Sequence, residues 1–307
     1  MRTQIGNALV GQTEVVEQTL IALLAGGHVL YEGVPGLGKT LLVLALAKTF
    51  AGKSSRIQFT PDLMPSDVTG HAVYDMSSGT FRIRRGPAFT NLLLADEINR
   101  APAKTQAALL EVMQEHQITI EGESMPLDRP FMTLATQNPI EQEGTYPLPE
   151  AQLDRFLLKV RIDYPGQEEE TQLVRKVTKD RVGDRFSLEQ VTTVASPEQV
   201  LAAQRCAAEV LVDDGIVEYA VRIVRATRQH EGVVLGAGPR GAIALVRVAR
   251  AKALLAGRAF VVPDDVKALA LPALRHRITV APELELERQD SDAVLRGVLE
   301  RVEAPRT

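Results

Sequence analysis

The first half of the chain alternates short apolar runs with segments whose apolar residues recur at helical spacing. His28-Val-Leu-Tyr31, Arg56-Ile-Gln-Phe59, Asn91-Leu-Leu-Leu-Ala95, Phe131-Met-Thr-Leu-Ala135 and Phe156-Leu-Leu-Lys-Val160 read as five strands. Between them, Thr40–Phe50 and Ala103–Glu115 predict helices, the second with Leu109, Leu110 and Met113 on one apolar face. Strands that alternate with helices imply an α/β domain around a parallel sheet. Two hairpins interrupt the alternation. One joins Val73-Tyr74 to Phe81-Arg-Ile-Arg84 around Ser77-Ser-Gly-Thr80, and the other joins Ile118-Thr-Ile120 to Met125-Pro-Leu127 around Glu121-Gly122.

After Tyr164-Pro165-Gly166 the pattern is helical only. Gln167–Lys179 forms one helix, and Ser196-Pro-Glu-Gln199 is a capping box that opens another. Asp214–Gln229 and Pro239–Ala256 follow, then Asp290–Val302 with Val294, Leu295, Val298, Leu299 and Val302 on one face. The change divides the chain into an α/β core, residues 1–163, and an all-α domain, residues 164–307.

Gly33-Val-Pro-Gly-Leu-Gly-Lys-Thr40 matches G-x-x-x-x-G-K-[ST], with a strand before it and a helix after it. The glycines let the backbone curl so that N–H groups converge on phosphate oxygens, and the helix adds its positive end. Val34, Pro35, Gly36, Leu37, Gly38, Lys39, Thr40 and Leu41 are therefore expected at a bound ATP or ADP. Lys39 would reach the β and γ phosphates and the Thr40 hydroxyl would ligate Mg²⁺. Leu92-Leu-Leu-Ala-Asp-Glu97 places two carboxylates where open α/β sheets bind ligands. Asp96 suits the Mg²⁺ coordination sphere, and Glu97 suits a general base acting on water. A base for water points to hydrolysis, whereas a small-molecule kinase would need an acceptor pocket. Asn138, which ends Ala135-Thr-Gln-Asn138, could hold the attacking water, although an Asn before Pro139 also fits plain turn chemistry.

Two arginines raise a question of charge. Arg240 follows Pro239 in the first turn of a helix, where a cation opposes the dipole at a cost of a few tenths of a kcal/mol. Arg155 precedes an apolar run, and its neighbour Asp154 cannot face it in either regular structure. Arg240 suits a distant phosphate or, more plainly, a solvated surface, and which negative charge Arg155 meets stays open at this point.

Composition narrows the class. With 307 residues the chain is long enough for two domains. Its 45% hydrophobic and 24% charged residues are ordinary for a soluble globular protein. The apolar stretch Leu41–Ala47 is too short to span a bilayer, and the N-terminal residues lack a signal-peptide pattern. A single cysteine, Cys206, excludes a disulfide framework and a Cys-rich metal site. A cytoplasmic location is expected. The net charge of −4 disfavours a surface built mainly for nucleic acid.

Taken together, these pieces resemble an AAA+ ATPase, and four stretches are similar to the MoxR family in particular. They are Gln58–Gly70, Gly79–Glu115, Ala135–Phe156 and the segment Gly-Ala-Gly-Pro-Arg-Gly at 236–241. The resemblance runs from Val10-Gly-Gln12 to the final helix, with one departure: Gly238 stands where the family usually carries Ser. It implies a five-stranded αβα core followed by a helical lid, and a homo-oligomeric ring, usually hexameric, with ATP at each subunit interface. It implies further that Val10, Gly11 and Gln12 flank the adenine. Arg155, in Asp154-Arg155-Phe156, would be an arginine finger acting on the neighbour's nucleotide. Whether Arg240 acts in its own subunit or across the interface stays open. The work implied is chaperone-like remodelling or maturation of a protein client, often beside a von Willebrand factor type A domain protein.

A magnesium-chelatase-like motor subunit is the nearer alternative, and a nucleic-acid motor of the MCM type a more distant one. The second hairpin carries Glu121 and Glu123 at its tip, which would repel phosphates. Arg82 and Arg84 in the first hairpin alternate with Phe81 and Ile83, which reads more readily as the wet face of a half-buried hairpin than as a nucleic-acid track.

Overall fold

The computed structural model describes residues 1–34, 36–138, 144–178, 188–287 and 289–305. Its strands are β1 (Val29–Glu32), β2 (Ser54–Gln58), β3 (Gly70–Asp75), β4 (Thr80–Arg85), β5 (Leu92–Asp96), β6 (Gln117–Ile120), β7 (Glu123–Pro126), β8 (Met132–Gln137), β9 (Leu158–Arg161), β10 (Val233–Leu235) and β11 (Thr279–Val280). The helices are α1 (Arg2–Ala8), α2 (Thr13–Leu24), α3 (Lys39–Thr49), α4 (Pro65–Thr69), α5 (Ala103–Glu115), α6 (Glu150–Leu153) and α7 (Gln167–Thr178). They continue with α8 (Pro197–Glu209), α9 (Asp214–Arg228), α10 (Pro239–Leu255), α11 (Pro263–Leu274), α12 (Pro282–Leu286) and α13 (Ser291–Arg301).

Five strands make one sheet in the order β2-β5-β8-β1-β9, and the pairs β2–β5, β5–β8 and β1–β8 are parallel. Leu92, Leu93, Leu94 and Ala95 are all buried, as expected for a strand covered on both faces. The carboxyl ends of β5, β8 and β1 lie side by side, with Ala95 opposite Ala135 and Glu32 opposite Gln137. That shared edge positions the chemistry.

Both hairpins form, β3–β4 and β6–β7. The first is not half-buried as its alternation implied: Phe81 is 73% and Tyr74 52% exposed, and their rings meet edge to face. Alternation fixes two faces but does not guarantee a surface for either to pack on. Arg82 pairs with Asp75 at 3.0 Å, and the Arg85 guanidinium lies over the Phe89 ring.

By packing, the chain divides into two compact units: Met1–Leu20, His28–Leu148 and Val160–Leu201 form one, and Ile21–Gly27, Pro149–Lys159 and Ala202–Thr307 the other. The change of pattern at residue 164 follows the last strand of the main sheet, β9. It does not coincide with the change of packing partner, since α7 groups with the first unit and α6 with the second. Nor is the later chain helical only, because β10 and β11 pair antiparallel. Two strands of three and two residues are too short for a periodicity to register. The capping box holds: Ser196 N–H donates to Gln199 Oε1 at 2.8 Å and Gln199 N–H to Ser196 Oγ at 3.3 Å. The expected helix end at Lys179 lies outside the described residues.

In the second unit α10 packs between α9 and α11 around Leu245, Val248, Leu269 and Leu274, with Leu295 of α13 also buried. The Arg277 side chain, only 4% exposed, donates to the Asp154 carboxylate at 2.7 Å and to the carbonyls of Phe156 and Leu157 at 2.7 and 3.2 Å. Strand β9 starts at Leu158, just after these carbonyls, and the Phe156 N–H is bonded back to Leu153.

His276 is buried beside this cluster, with Nε2 3.0 Å from the Phe156 carbonyl oxygen. Desolvation first, then the Arg277 charge, hold its pKa well below the ordinary 6.5. The unfolded chain therefore binds a proton below that value which the native state resists, so His276 lowers stability as pH falls through 6.5. Thermal melts of wild type and His276→Gln between pH 5 and 7.5 should show a shallower acid-side decline in the variant. Parallel curves would remove His276 from that role.

Candidate active site

Between β1 and α3 the chain turns through left-handed glycines, Gly36 at φ 86° and Gly38 at φ 78°. A Cβ at Gly36 would meet nothing within 4 Å, so open space lies there, whereas one at Gly33 would come within 2.4 Å of the Ile162 carbonyl oxygen. Lys39 opens α3 and its Nζ donates to the Gly33 carbonyl at 2.7 Å, spanning the loop. Burial pushes the Lys39 ammonium below its ordinary pKa, while Asp96 and Glu97 pull it back up. This is a half-buried cation that no carboxylate within the described residues contacts as an ion pair.

Across from it, β5 ends in the two acids. Asp96 accepts from Arg56 Nη2 at 2.7 Å and from the Thr136 hydroxyl at 2.6 Å. Glu97 accepts from Gln58 Nε2 at 2.8 Å and pairs with Arg100 Nε at 3.1 Å. Its backbone is left-handed at φ 56°, a conformation that non-glycine residues adopt at some cost and that clusters at functional positions. Thr136 secures it by accepting from the Glu97 N–H at 2.8 Å. One buried hydroxyl thus holds the Asp96 carboxylate and the Glu97 backbone.

These groups line one cavity of 310 Å³, which brings together Gly36, Gly38, Lys39, Thr40, Leu41, Asp96, Glu97 and Asn138 from the sequence reading. It adds Arg56, Gln58 and Thr136, which that reading missed. Val34 and Leu37 are in the loop but not in the lining, and Pro35 lies outside the described residues. Val10, Gly11 and Gln12 are also outside the lining, although the Leu9 side chain reaches the loop: a Cβ at Gly38 would sit 3.0 Å from its Cδ1. Gln12 is fixed through Nε2 to the Asp163 carbonyl at 3.1 Å. An ammonium, a hydroxyl, two carboxylates and a helix N-terminus around open space fit a polyphosphate with a hard divalent cation.

Arg155 and Arg240 belong to the second unit. There Asp154 is held by Arg277, and Arg240 Nη1 stands 3.7 Å from its other oxygen while remaining 57% exposed. Arg155, half-buried just after α6, makes no side-chain hydrogen bond or ion pair among the described residues.

Residues 28–158 match the family model described as "ATPase family associated with various cellular activities (AAA)", and residues 225–298 match the AAA lid domain. Chaperone MoxR1 of Mycobacterium tuberculosis is 43% identical over 98% of this chain and 81% of its own. The chain belongs to the MoxR family of AAA+ ATPases. Another relative, protein YeaC of Bacillus subtilis, is 48% identical over 98% of this chain and 92% of its own. A crystal structure from Cytophaga hutchinsonii matches this MoxR-family fold with a TM-score of 0.90 at 42% identity, covering 99% of this chain and 93% of that one.

Thr136→Val keeps the shape of the side chain but leaves the Glu97 N–H without its acceptor. That should cost about 1–3 kcal/mol in a denaturant melt and depress ATP turnover, whereas Thr136→Ser should retain most of both. A Val variant with unchanged turnover by phosphate release would mean that the hydroxyl does not set the acids.

Proposed function

We propose that the protein binds and hydrolyses ATP at the seams of a homo-oligomeric ring, a hexamer on the family resemblance, and uses the energy to remodel or mature a protein complex. The loop amides and Lys39 hold the β and γ phosphates of the substrate. Thr40 and Asp96 would hold Mg²⁺, which supplies charge neutralisation on the phosphate oxygens when bound. Glu97 takes a proton from water, and Asn138 positions that water as donor and acceptor. Gln58 and Arg100 hold the Glu97 carboxylate in the present arrangement, so catalysis requires those contacts to loosen.

One observation carries the assignment across the seam. Asp154 is committed to Arg277 and Arg240, which leaves the Arg155 guanidinium without a counter-charge among the described residues. A developing phosphoryl charge on the adjoining subunit suits it, and a positioned arginine is worth about 10³–10⁵ in rate. Arg240 is the second candidate at the γ phosphate, in cis or in trans. The client is read as protein, with a von Willebrand factor type A domain protein as a candidate partner and the cytoplasm as the location. The tip of β6–β7, with Glu121 and Glu123 exposed, supports protein over nucleic acid. Among the described residues no helix is long and apolar enough to cross a membrane.

Two outcomes are expected. Glu97→Gln should bind ATP with little change yet turn it over at least about 10²-fold more slowly, measured by nucleotide binding beside phosphate release. Arg155→Ala and Lys39→Ala should each be inactive, but mixing them should restore turnover above either alone, because only mixed seams contain one intact site. No recovery, with assembly verified by sedimentation, would place Arg155 outside the reaction.

A further inference from the structure

The second unit contains an open groove of 550 Å³ between α9 and α10 that the ATP chemistry does not use. Its floor is aliphatic. Val217, Val221 and Val224 recur at i, i+4 and i+7 along α9, and Ile243 and Val246 face them from α10. Apolar side chains at such positions ordinarily turn into a core, yet Val217 and Val221 are each 40% exposed and Ile243 is 57% exposed. From Val217 to Val224 the floor runs about 10 Å, two helical turns.

Four arginines rim it: Arg225, Arg228, Arg247 and Arg250. Arg228 Nε donates to the Ala237 carbonyl at 2.7 Å, and Arg247 Nη2 to those of Ala25 and Gly26 at 2.6 and 3.1 Å. Arg250 Nε is buried without a hydrogen-bond partner. Among the described residues none of the four makes an ion pair with a carboxylate. Carbonyl contacts hold a guanidinium in place without neutralising its charge.

An apolar floor with an uncompensated cationic rim selects its occupant twice, by shape and by sign. The floor has no aromatic ring on which a base could stack, which disfavours single-stranded nucleic acid. The length and spacing match the i, i+4, i+7 anchors of one helix. We propose that this groove is a docking site for an acidic amphipathic helix of a partner protein, whose aliphatic stripe covers the floor while its glutamates or aspartates pair with the rim. The inference goes beyond ATP hydrolysis and does not depend on it.

The test uses the full chain and three labelled helical peptides read by fluorescence anisotropy. The first carries Leu at i, i+4 and i+7 flanked by Glu, the second replaces Glu by Lys, and the third replaces Leu by Ala. The Glu–Leu peptide should bind at least about tenfold more tightly than the other two, and weaken as salt rises. Ile243→Asp, and separately Arg225→Glu with Arg250→Glu, should each weaken it about tenfold while ATP turnover and the melting temperature stay put. If the charge-reversed pair does not fold, Ile243→Asp carries the test from its exposed position. Equal binding of the Glu and Lys peptides, or binding indifferent to Ile243→Asp, overturns the proposal. So does loss of self-association in Ile243→Asp without peptide binding, which would make a second copy the occupant. Tighter binding of an oligonucleotide or of anionic vesicles at the same groove overturns it as well.

Discussion

A guanidinium removed from water is stabilised most by an anion, and in the second unit Arg277 finds one in Asp154. The pair is joined across 123 positions of sequence, and the same guanidinium also gathers the carbonyls of Phe156 and Leu157. Separating one ion of such a pair leaves an uncompensated buried charge, which costs several kcal/mol, so the arrangement is stiff. Its effect reaches the residue in between. The acid nearest to Arg155 in sequence is taken and the backbone on its far side is pinned, while no ion pair engages its own guanidinium among the described residues.

The first unit solves a related problem with the opposite sign. Two carboxylates lie side by side at a sheet edge, and Arg56 and Arg100 offset them rather than the nearby lysine. Lys39 instead donates to the Gly33 carbonyl oxygen. Its depressed ammonium pKa follows from burial, and the two acids limit that depression. The structure thus separates cation from anion within one cavity, an arrangement that a bound metal-polyphosphate would complete.

How much of this the chain reveals before folding depends on the range of each signal. The loop, its helix and the acids of β5 are contiguous in sequence, and their chemistry is written in consecutive residues. So are the five strands and the capping box at Ser196. Thr136, Gln58 and Arg56 sit on β8 and β2, and only the strand order β2-β5-β8 brings them to Asp96 and Glu97. No local pattern marks a threonine as the acceptor for an N–H some forty positions away. Helices α2 and α11 were not read from the sequence, and α11 carries Pro272 within its last turn, where a proline ordinarily argues against a helix. The exposed face of the first hairpin shows the reverse error: a correct period, with a burial that the period alone could not supply.

At Gly33 the backbone passes so close to Ile162 that a single added carbon would press on its carbonyl oxygen, and the Ile162 amide is in turn bonded to Glu32. The entrance of the phosphate loop and the exit of β9 are thus one mechanical joint. Any side chain at position 33 would have to displace the Ile162 carbonyl, and with it the end of β9. Glycine at this position is what lets the loop and the strand end pass so closely.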